Sequence, residues 1–238
     1  RWRVLLVIPA ALLVLGGVYA PRQVAQRRAL AALTKLGATV RTQPLALPGA
    51  RQILGDEYAL EIIEVYLRNP QLTDKDLEVF KGLKSLRKLE LAGSSVSSQG
   101  LAYLQGLSNL YTLHLADTKV DDAGLPYLVG LGNLGILSLD NTAVTDAGVA
   151  QFAQMPQLER LLLDGTGITD AGLAELGKLT NLKELSLVGT RITDAGLVHL
   201  KSLKNLELLK LYNTKTTPEA MKQLHAALPK CVIWVPSD

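Results

Sequence analysis

Two consecutive segments of this chain share one pattern. Residues 158–181 read LERLLLDGTGITDAGLAELGKLTN, and residues 182–205 read LKELSLVGTRITDAGLVHLKSLKN. The pattern continues in both directions at intervals of 24 residues, which indicates a structural repeat. One uninterrupted leucine column at this interval consists of Leu67, Leu91, Leu115, Leu139, Leu163, Leu187 and Leu211.

The first half of each unit predicts a short strand and a turn. Its Leu-x-Leu core alternates with a period of two, as in a strand with one buried face. A Ser or Thr recurs three residues after the second leucine, and we expect its hydroxyl to satisfy backbone groups that the turn would otherwise bury unpaired. This column consists of Ser94, Thr118, Thr142, Thr166, Thr190 and Thr214.

The second half of each unit predicts a short helix. It begins with Thr-Asp-Ala-Gly-Leu/Val or a variant, in which Thr can cap exposed amides and Asp favours the positive end of the helix dipole. In the last unit the pair is Thr217-Pro218, and proline fits the first helical position, so Thr217 is the predicted cap. About seven such units cover residues 62–228, and the C-terminal stretch 228–235, with Ile233 and Val235 at strand positions, reads as a closing edge strand. Neighbouring units must cover each other's apolar sides.

The unit LxxLxLxxTxITDAGLxxLxxL resembles that of leucine-rich-repeat proteins of the ribonuclease-inhibitor-like and F-box-associated type. It is also similar to that of bacterial leucine-rich-repeat proteins that carry a membrane anchor. The resemblance covers residues 62–235 and implies an α/β fold, a right-handed β-α horseshoe solenoid with a parallel concave sheet. It implies little about function, because the matching residues build the scaffold.

A hydrophobic segment precedes the repeats. Residues 4–20 are uncharged and mostly aliphatic, at the lower end of the ~17–25 residues needed to cross a bilayer. We interpret residues 1–20 as a single-pass transmembrane or signal-anchor helix. A cleaved signal peptide is the alternative, although Pro21 argues against cleavage after Ala20. The predicted localisation is the membrane with the repeats outside the cytoplasm, but basic residues after the segment favour the opposite orientation, so the side stays open.

Residues 21–57 are predicted to form a helix and a linker that cap the first repeat. Residues 22–36 read as an amphipathic helix that Gly37 ends. Its predicted apolar side consists of Val24, Leu30, Leu33 and Leu36. A polar linker over residues 38–57 then leads into the repeat domain, residues 58–238.

Composition and charge exclude several classes of function. The chain is 48% hydrophobic and 20% charged, enough to bury a core. Residues 1–57 carry eight Lys or Arg and two acidic residues. The rest of the chain then carries 17 basic and 20 acidic residues, so it lacks the net positive charge expected of a nucleic-acid-binding domain. The single cysteine, Cys231, excludes an internal disulfide and is predicted to be a small core residue.

Three patterns that could suggest chemistry have structural explanations. Residues 130–135 spell GxGxxG, but they leave a helix and enter a strand, the reverse of the dinucleotide-binding order. The recurrent Asp after each cap could suggest a calcium ladder, yet these acids occur singly, one repeat apart. His114, His199 and His225 lie in different repeats without a nearby carboxylate or thiol at metal spacing. The sequence therefore predicts a protein that is not an enzyme and has no metal or cofactor site.

The residues between the strand leucines are predicted to line the concave sheet and to bind a protein partner. Ile136, Leu162 and Val188 fall diagonally across this face. Charged side chains flank them and give an apolar centre with a polar rim. The full predicted site consists of Ile136, Arg160, Leu162, Val188, His114, Asp140, Asp164 and Tyr212. Isolated exposed aliphatic side chains of no consequence are the alternative.

The leading functional hypothesis is a membrane-tethered protein-interaction module. The resemblance to F-box-associated repeats suggests a substrate-recognition component of a ubiquitin-ligase-like complex as an alternative, although no F-box-like helical domain is recognisable ahead of the repeats. An inhibitor of a secreted hydrolase or nuclease is a third possibility. The identity of the partner and the oligomeric state stay open.

Overall fold

The computed structural model describes residues 23–45 and 60–234. Within them the strands form one nine-stranded sheet in sequence order. The strands are β1 Thr39–Pro44, β2 Leu60–Tyr66, β3 Lys88–Glu90, β4 Thr112–His114, β5 Ile136–Ser138, β6 Arg160–Leu162, β7 Glu184–Ser186, β8 Leu208–Lys210 and β9 Val232–Trp234. β2 to β9 run parallel, and β1 pairs antiparallel with β2.

Short helical segments connect the parallel strands. The α-helices are α1 over residues 23–35, α2 Asp146–Val149, α3 Asp170–Leu176 and α4 Pro218–Ala227. The 3-10 helices are Asp74–Phe80, Gly100–Leu104, Asp122–Tyr127, Ala150–Gln154 and Gly196–Ser202. The 3-10 segments in the described residues are five to seven residues long.

The repeat spacing brings equivalent residues into register, as predicted. Leu89 pairs with Leu113, and Leu113 with Leu137, along the parallel ladder. Every member of the column from Leu67 to Leu211 is 1% exposed or less, and all belong to one continuous core. Neighbouring strands lie ~4.8 Å apart and helical segments need more width, so the sheet forms the inner, concave side of the arc.

The hydroxyl column after each strand is confirmed as structural. Thr118 Oγ1 donates to the carbonyl of Leu115 at 2.6 Å, and Thr142 donates to Leu139 at the same distance. Thr166, Thr190 and Thr214 repeat the bond in their own units. Ser94 is the exception, since its buried hydroxyl has no hydrogen-bond partner among the described residues. The column therefore closes the turn within each unit.

The N-terminal cap differs in part from the sequence prediction. α1 ends before Gly37, which has a φ of +82°, and Leu33 is buried as expected. Val24, however, is exposed, and the buried Gln26 accepts a hydrogen bond from the amide of Ile62. Where a polar linker was expected, Thr39–Pro44 forms β1, so the first repeat gains an antiparallel edge strand.

The expected single-pass anchor, and with it the membrane localisation, requires correction. The segment to which it was assigned, residues 1–20, lies outside the described residues. In the part of the chain that the structure describes, no helix is long and apolar enough to span a bilayer. The described part of the N-terminal helix, over residues 23–35, carries Arg27 and Arg28.

Cys231 lies in the core beside the last strand, as predicted. The residue is 1% exposed and belongs to the same apolar cluster as the repeat leucines. Burial raises the pKa of its thiol to about 11. The thiol is therefore protonated and unreactive in the folded protein.

Candidate functional site

The concave face consists of the strand side chains that alternate with the buried leucines. Its first row is Glu64, Lys88, Thr112, Ile136, Arg160, Glu184, Leu208 and Val232, and its second row is Tyr66, Glu90, His114, Ser138, Leu162, Ser186, Lys210 and Trp234. The third row lies two residues after the strand ends and is Arg68, Ala92, Ala116, Asp140, Asp164, Val188 and Tyr212. The eight predicted partner-binding residues all lie in these rows, on β4 to β8 or directly after them.

The apolar centre of the predicted site lies diagonally across neighbouring strands. Ile136 on β5 pairs with Arg160 on β6, and Leu162 occupies the next concave position on β6. Val188 follows the end of β7, one strand further along. All three aliphatic side chains are partly exposed. Adjacent strands ~4.8 Å apart place such side chains in reach of one ligand.

The two acids of the predicted rim are engaged in structural hydrogen bonds. Asp140 accepts from the Ser138 hydroxyl at 2.8 Å and from the Asp164 amide at 2.9 Å. Asp164 in turn accepts from the Ser186 hydroxyl at 2.5 Å and from the Val188 amide at 2.8 Å. Each carboxylate therefore joins its own unit to the next. They fix the strand ends, and only their remaining lone pairs can accept further hydrogen bonds.

Burial changes the protonation behaviour of two rim residues. Desolvation raises the pKa of Asp140 above its ordinary value, against the hydrogen bonds from Ser138 and the Asp164 amide, which lower it. Desolvation also lowers the pKa of His114, although the nearby charge of Glu90 acts in the other direction. His114 is therefore neutral at neutral pH, and its ring offers one donor and one acceptor to a partner.

A charged cluster that the sequence reasoning missed lies beside the apolar centre. Glu184 contacts Lys210 at 2.8 Å and Arg160 at 3.7 Å, so one carboxylate joins cations from both neighbouring strands. Such partly exposed ion pairs contribute little to stability. They hold Arg160 in place at the edge of the apolar centre, where it can interact with a partner.

An aromatic pair joins the predicted Tyr212 to Trp234, which the predicted site did not include. Tyr212 and Trp234 meet edge to face with their ring centroids 6.5 Å apart. Tyr212 is 51% exposed and Trp234 47% exposed, and Val232 on the same strand is exposed too. The signal was in the sequence, because Ile233 at an inward position places its two neighbours on the concave face. Exposed aromatic residues are enriched where proteins bind proteins.

Pairs of polar residues join successive units on the helical side. The Asp146 carboxylate accepts the amide of Thr169 at 2.8 Å and its hydroxyl at 2.5 Å. The same pairing joins Asp74 to Ser97, Asp122 to Thr145, Asp170 to Thr193 and Asp194 to Thr217. The recurrent acids thus bond the cap of the following repeat. No group of three or more His, Cys, Asp or Glu side chains in the described ranges is placed to hold a metal.

One such pair has its two roles exchanged. Ser98 occupies the position of the usual Asp, and Asp121 occupies that of the usual Thr. The Ser98 hydroxyl donates to the Asp121 carboxylate at 2.6 Å and accepts from its amide at 3.0 Å. Asp121 still caps its own helix, since its side chain accepts from the Ala123 amide. The bond between units survives the exchange, which indicates that the pair itself matters.

The glycine of each Asp-Ala-Gly motif makes room for this bond. A Cβ on Gly172 would lie 2.4 Å from Oδ1 of Asp146, a distance that real atoms do not reach. The equivalent glycines Gly100, Gly148 and Gly196 face Asp74, Asp122 and Asp170 in the same way. The motif is therefore explained by packing between units and needs no ligand.

Comparisons with known proteins agree with this architecture. A family model described as a leucine-rich repeat matches residues 178–203, and no curated protein matches the chain. Internalin C2 from Listeria monocytogenes has a similar structure, with a TM-score of 0.55 and 22% identity over 74% of this chain and 81% of that one. At this identity the likeness shows the fold alone.

Two further solved structures are similar. A second Listeria monocytogenes internalin (inlF) gives a TM-score of 0.54 at 22% identity over 71% of this chain. A leucine-rich-repeat protein from Leptospira interrogans gives 0.52 at 22% identity over 80% of this chain. The chain spans 54% and 52% of the lengths of these two proteins. The repeat unit, the parallel sheet and these likenesses show that the chain has the leucine-rich-repeat fold.

Proposed function

We propose that this protein is a non-enzymatic interaction module that binds a protein partner through its concave face. The site is the apolar centre of Ile136, Leu162 and Val188, with Arg160 and Tyr212 beside it. His114, Asp140 and Asp164 form the polar border. The observation that carries the proposal is that three aliphatic side chains from successive units stay partly exposed on the concave face beside the charged Arg160, Asp140 and Asp164.

The energetics favour binding at this centre. A protein interface draws most of its affinity from a few apolar or aromatic anchors surrounded by polar contacts. The surrounding charges already have partners in the free protein, as Arg160 has in Glu184. They therefore set orientation and exclude mismatched surfaces more than they add affinity. The backbone bonds of Asp140 and Asp164 hold the strand ends fixed, so little order is lost on binding.

The test replaces Ile136 and Leu162 together with Asp. Partners that the parent chain captures should bind the double variant about 100-fold more weakly, since two anchors at ~1.4 kcal/mol each are removed. Val198→Asp is the matched control, because Val198 is 53% exposed on the helical side. Circular dichroism checks that both variants fold. Retention of every partner by the folded double variant would show that the binding surface lies elsewhere.

A further inference from the structure

The last strand, β9, is paired on only one side in the described chain. Val232 donates its amide to the carbonyl of Glu207 at 2.8 Å, and the Trp234 carbonyl accepts from the Leu211 amide at 3.5 Å. In a parallel ladder, the residue between two such residues directs its N–H and C=O to the opposite side. Ile233 therefore presents one donor and one acceptor at the outer edge of the sheet.

A groove of about 480 Å³ adjoins this edge, between β9 and α4. Met221 and Ile233 line it with apolar surface. In the preceding unit the residue equivalent to Met221 is Leu197, which is 3% exposed because the helix of the next unit covers it. Met221 itself is only half-buried. The groove therefore corresponds to the surface that each preceding repeat buries against the repeat that follows it.

The groove is basic. Lys222, Lys230 and His225 line it, and no acidic residue of the described chain does. His225 Nδ1 lies 3.2 Å from the Cys231 carbonyl. The imidazole therefore covers this carbonyl, which is the outward-facing backbone group before those of Ile233. A second copy of this edge would bring like charges together, which is unfavourable. An acidic segment would be complementary.

We propose that the outer edge of β9 and this groove bind an extended, acidic segment of a protein partner, which adds a tenth strand to the sheet. Ile233 supplies the backbone bonds. Side chains on one face of the segment contact Val232 and Trp234 on the concave side, where both are exposed. Those on the other face enter the groove, with a carboxylate near Lys222 or Lys230. This site is separate from the centre at Leu162, so the two proposals can fail independently.

The test titrates the full chain into two fluorescein-labelled peptides of about ten residues, one alternating Glu with Val and the other Lys with Val. We expect the Glu peptide to bind at least about tenfold more tightly. Ile233→Pro removes the outward N–H and leaves the bonds of Val232 and Trp234 to β8, so it should weaken this binding about tenfold or more. Ile233→Val keeps the N–H and should bind as the parent does.

Charge reversal provides a second measurement that does not depend on the proline variant. The double variant Lys222→Glu and Lys230→Glu should prefer the Lys peptide. Leu162→Asp should leave peptide binding unchanged. Equal binding of both peptides by the parent, or full binding by a folded Ile233→Pro variant, would overturn the proposal. A dimer in sedimentation that Ile233→Pro abolishes would assign the edge to a second copy and overturn it as well.

Discussion

The substitution Gly172→Ala tests whether the Asp–Thr pairs hold neighbouring units together. The added methyl group would lie 2.4 Å from Asp146 Oδ1 and 3.0 Å from the Ile168 Cγ2. The flexible carboxylate is the group that must move. It then loses the two hydrogen bonds that it accepts from the amide and the hydroxyl of Thr169. The damage is therefore confined to one junction between units.

The expected loss follows from these contacts. A hydrogen bond contributes ~1 kcal/mol net to stability, and solvent screening keeps each of the two bonds of this half-buried pair near that value although the acceptor is charged. We expect Gly172→Ala to lower the free energy of unfolding by about 3 kcal/mol, since crowding adds to the lost bonds. Asp146→Ala alone should cost about 2 kcal/mol. In the double variant the added methyl group occupies the space that the Asp146 carboxylate leaves. The free energy of unfolding should therefore again fall by about 2 kcal/mol, well short of the sum of the two single losses.

Urea unfolding followed by circular dichroism measures these differences. Gly130→Ala is the control, because a Cβ there meets no atom within 4 Å. Its free energy of unfolding should change by less than about 1 kcal/mol. Equal effects at positions 172 and 130, or additive losses in the double variant, would refute the reasoning.

Three further outcomes are expected. Thr166→Val should cost about 1 kcal/mol in urea unfolding because the Leu163 carbonyl loses its hydroxyl donor and keeps only the Thr166 amide at 3.3 Å, and an unchanged midpoint would contradict this role. Burial lowers the pKa of His114, so its stabilising contribution is complete above the unfolded pKa of about 6.5 and is lost as the pH falls through the folded pKa. The stability difference between the parent and His114→Gln should therefore shrink from pH 8 to pH 5, whereas a flat difference would count against it. With its pKa near 11, the Cys231 thiol should react with a thiol reagent at pH 8 only as fast as the protein unfolds, and rapid labelling of the native chain would contradict its burial.

The register of the parallel strands and the rows of the concave face could be predicted from the sequence. The period of 24 residues sets one turn of the solenoid, so equivalent positions pair without slippage, as Leu137 does with Leu161. The alternation within each Leu-x-Leu then decides which side chains face outward. That is why Ile136 and Leu162 were placed on the concave face from sequence alone.

The bonds between units could not be predicted in the same way. Each repeat, considered alone, offers Asp146 as a helix-dipole residue and Thr169 as a cap, and both interpretations suffice within one unit. Their partnership exists only across the junction of two units. The exchanged pair of Ser98 and Asp121 was the available signal, because a substitution at one position is matched at the other.

Two parts of the chain show why periodicity alone has limits. β1 is short, polar and mostly exposed, so its strand conformation depends on pairing with β2 more than on its own sequence. Asp140 and Asp164 were predicted as a free polar rim, since alternation gives the direction of a side chain but not its partner. The structure shows that a backbone amide of the following unit donates a hydrogen bond to each carboxylate.

Site-specific photo-crosslinking tests the central claim, that a protein partner binds the concave face, most directly. In a Cys231→Ser background, Leu208→Cys and Val198→Cys each introduce a thiol for a benzophenone label, one on the concave face outside the proposed anchors and one on the helical side. The account predicts that the captured partner crosslinks from position 208 and not from position 198. Crosslinking from position 198 alone, or equally from both, would contradict it.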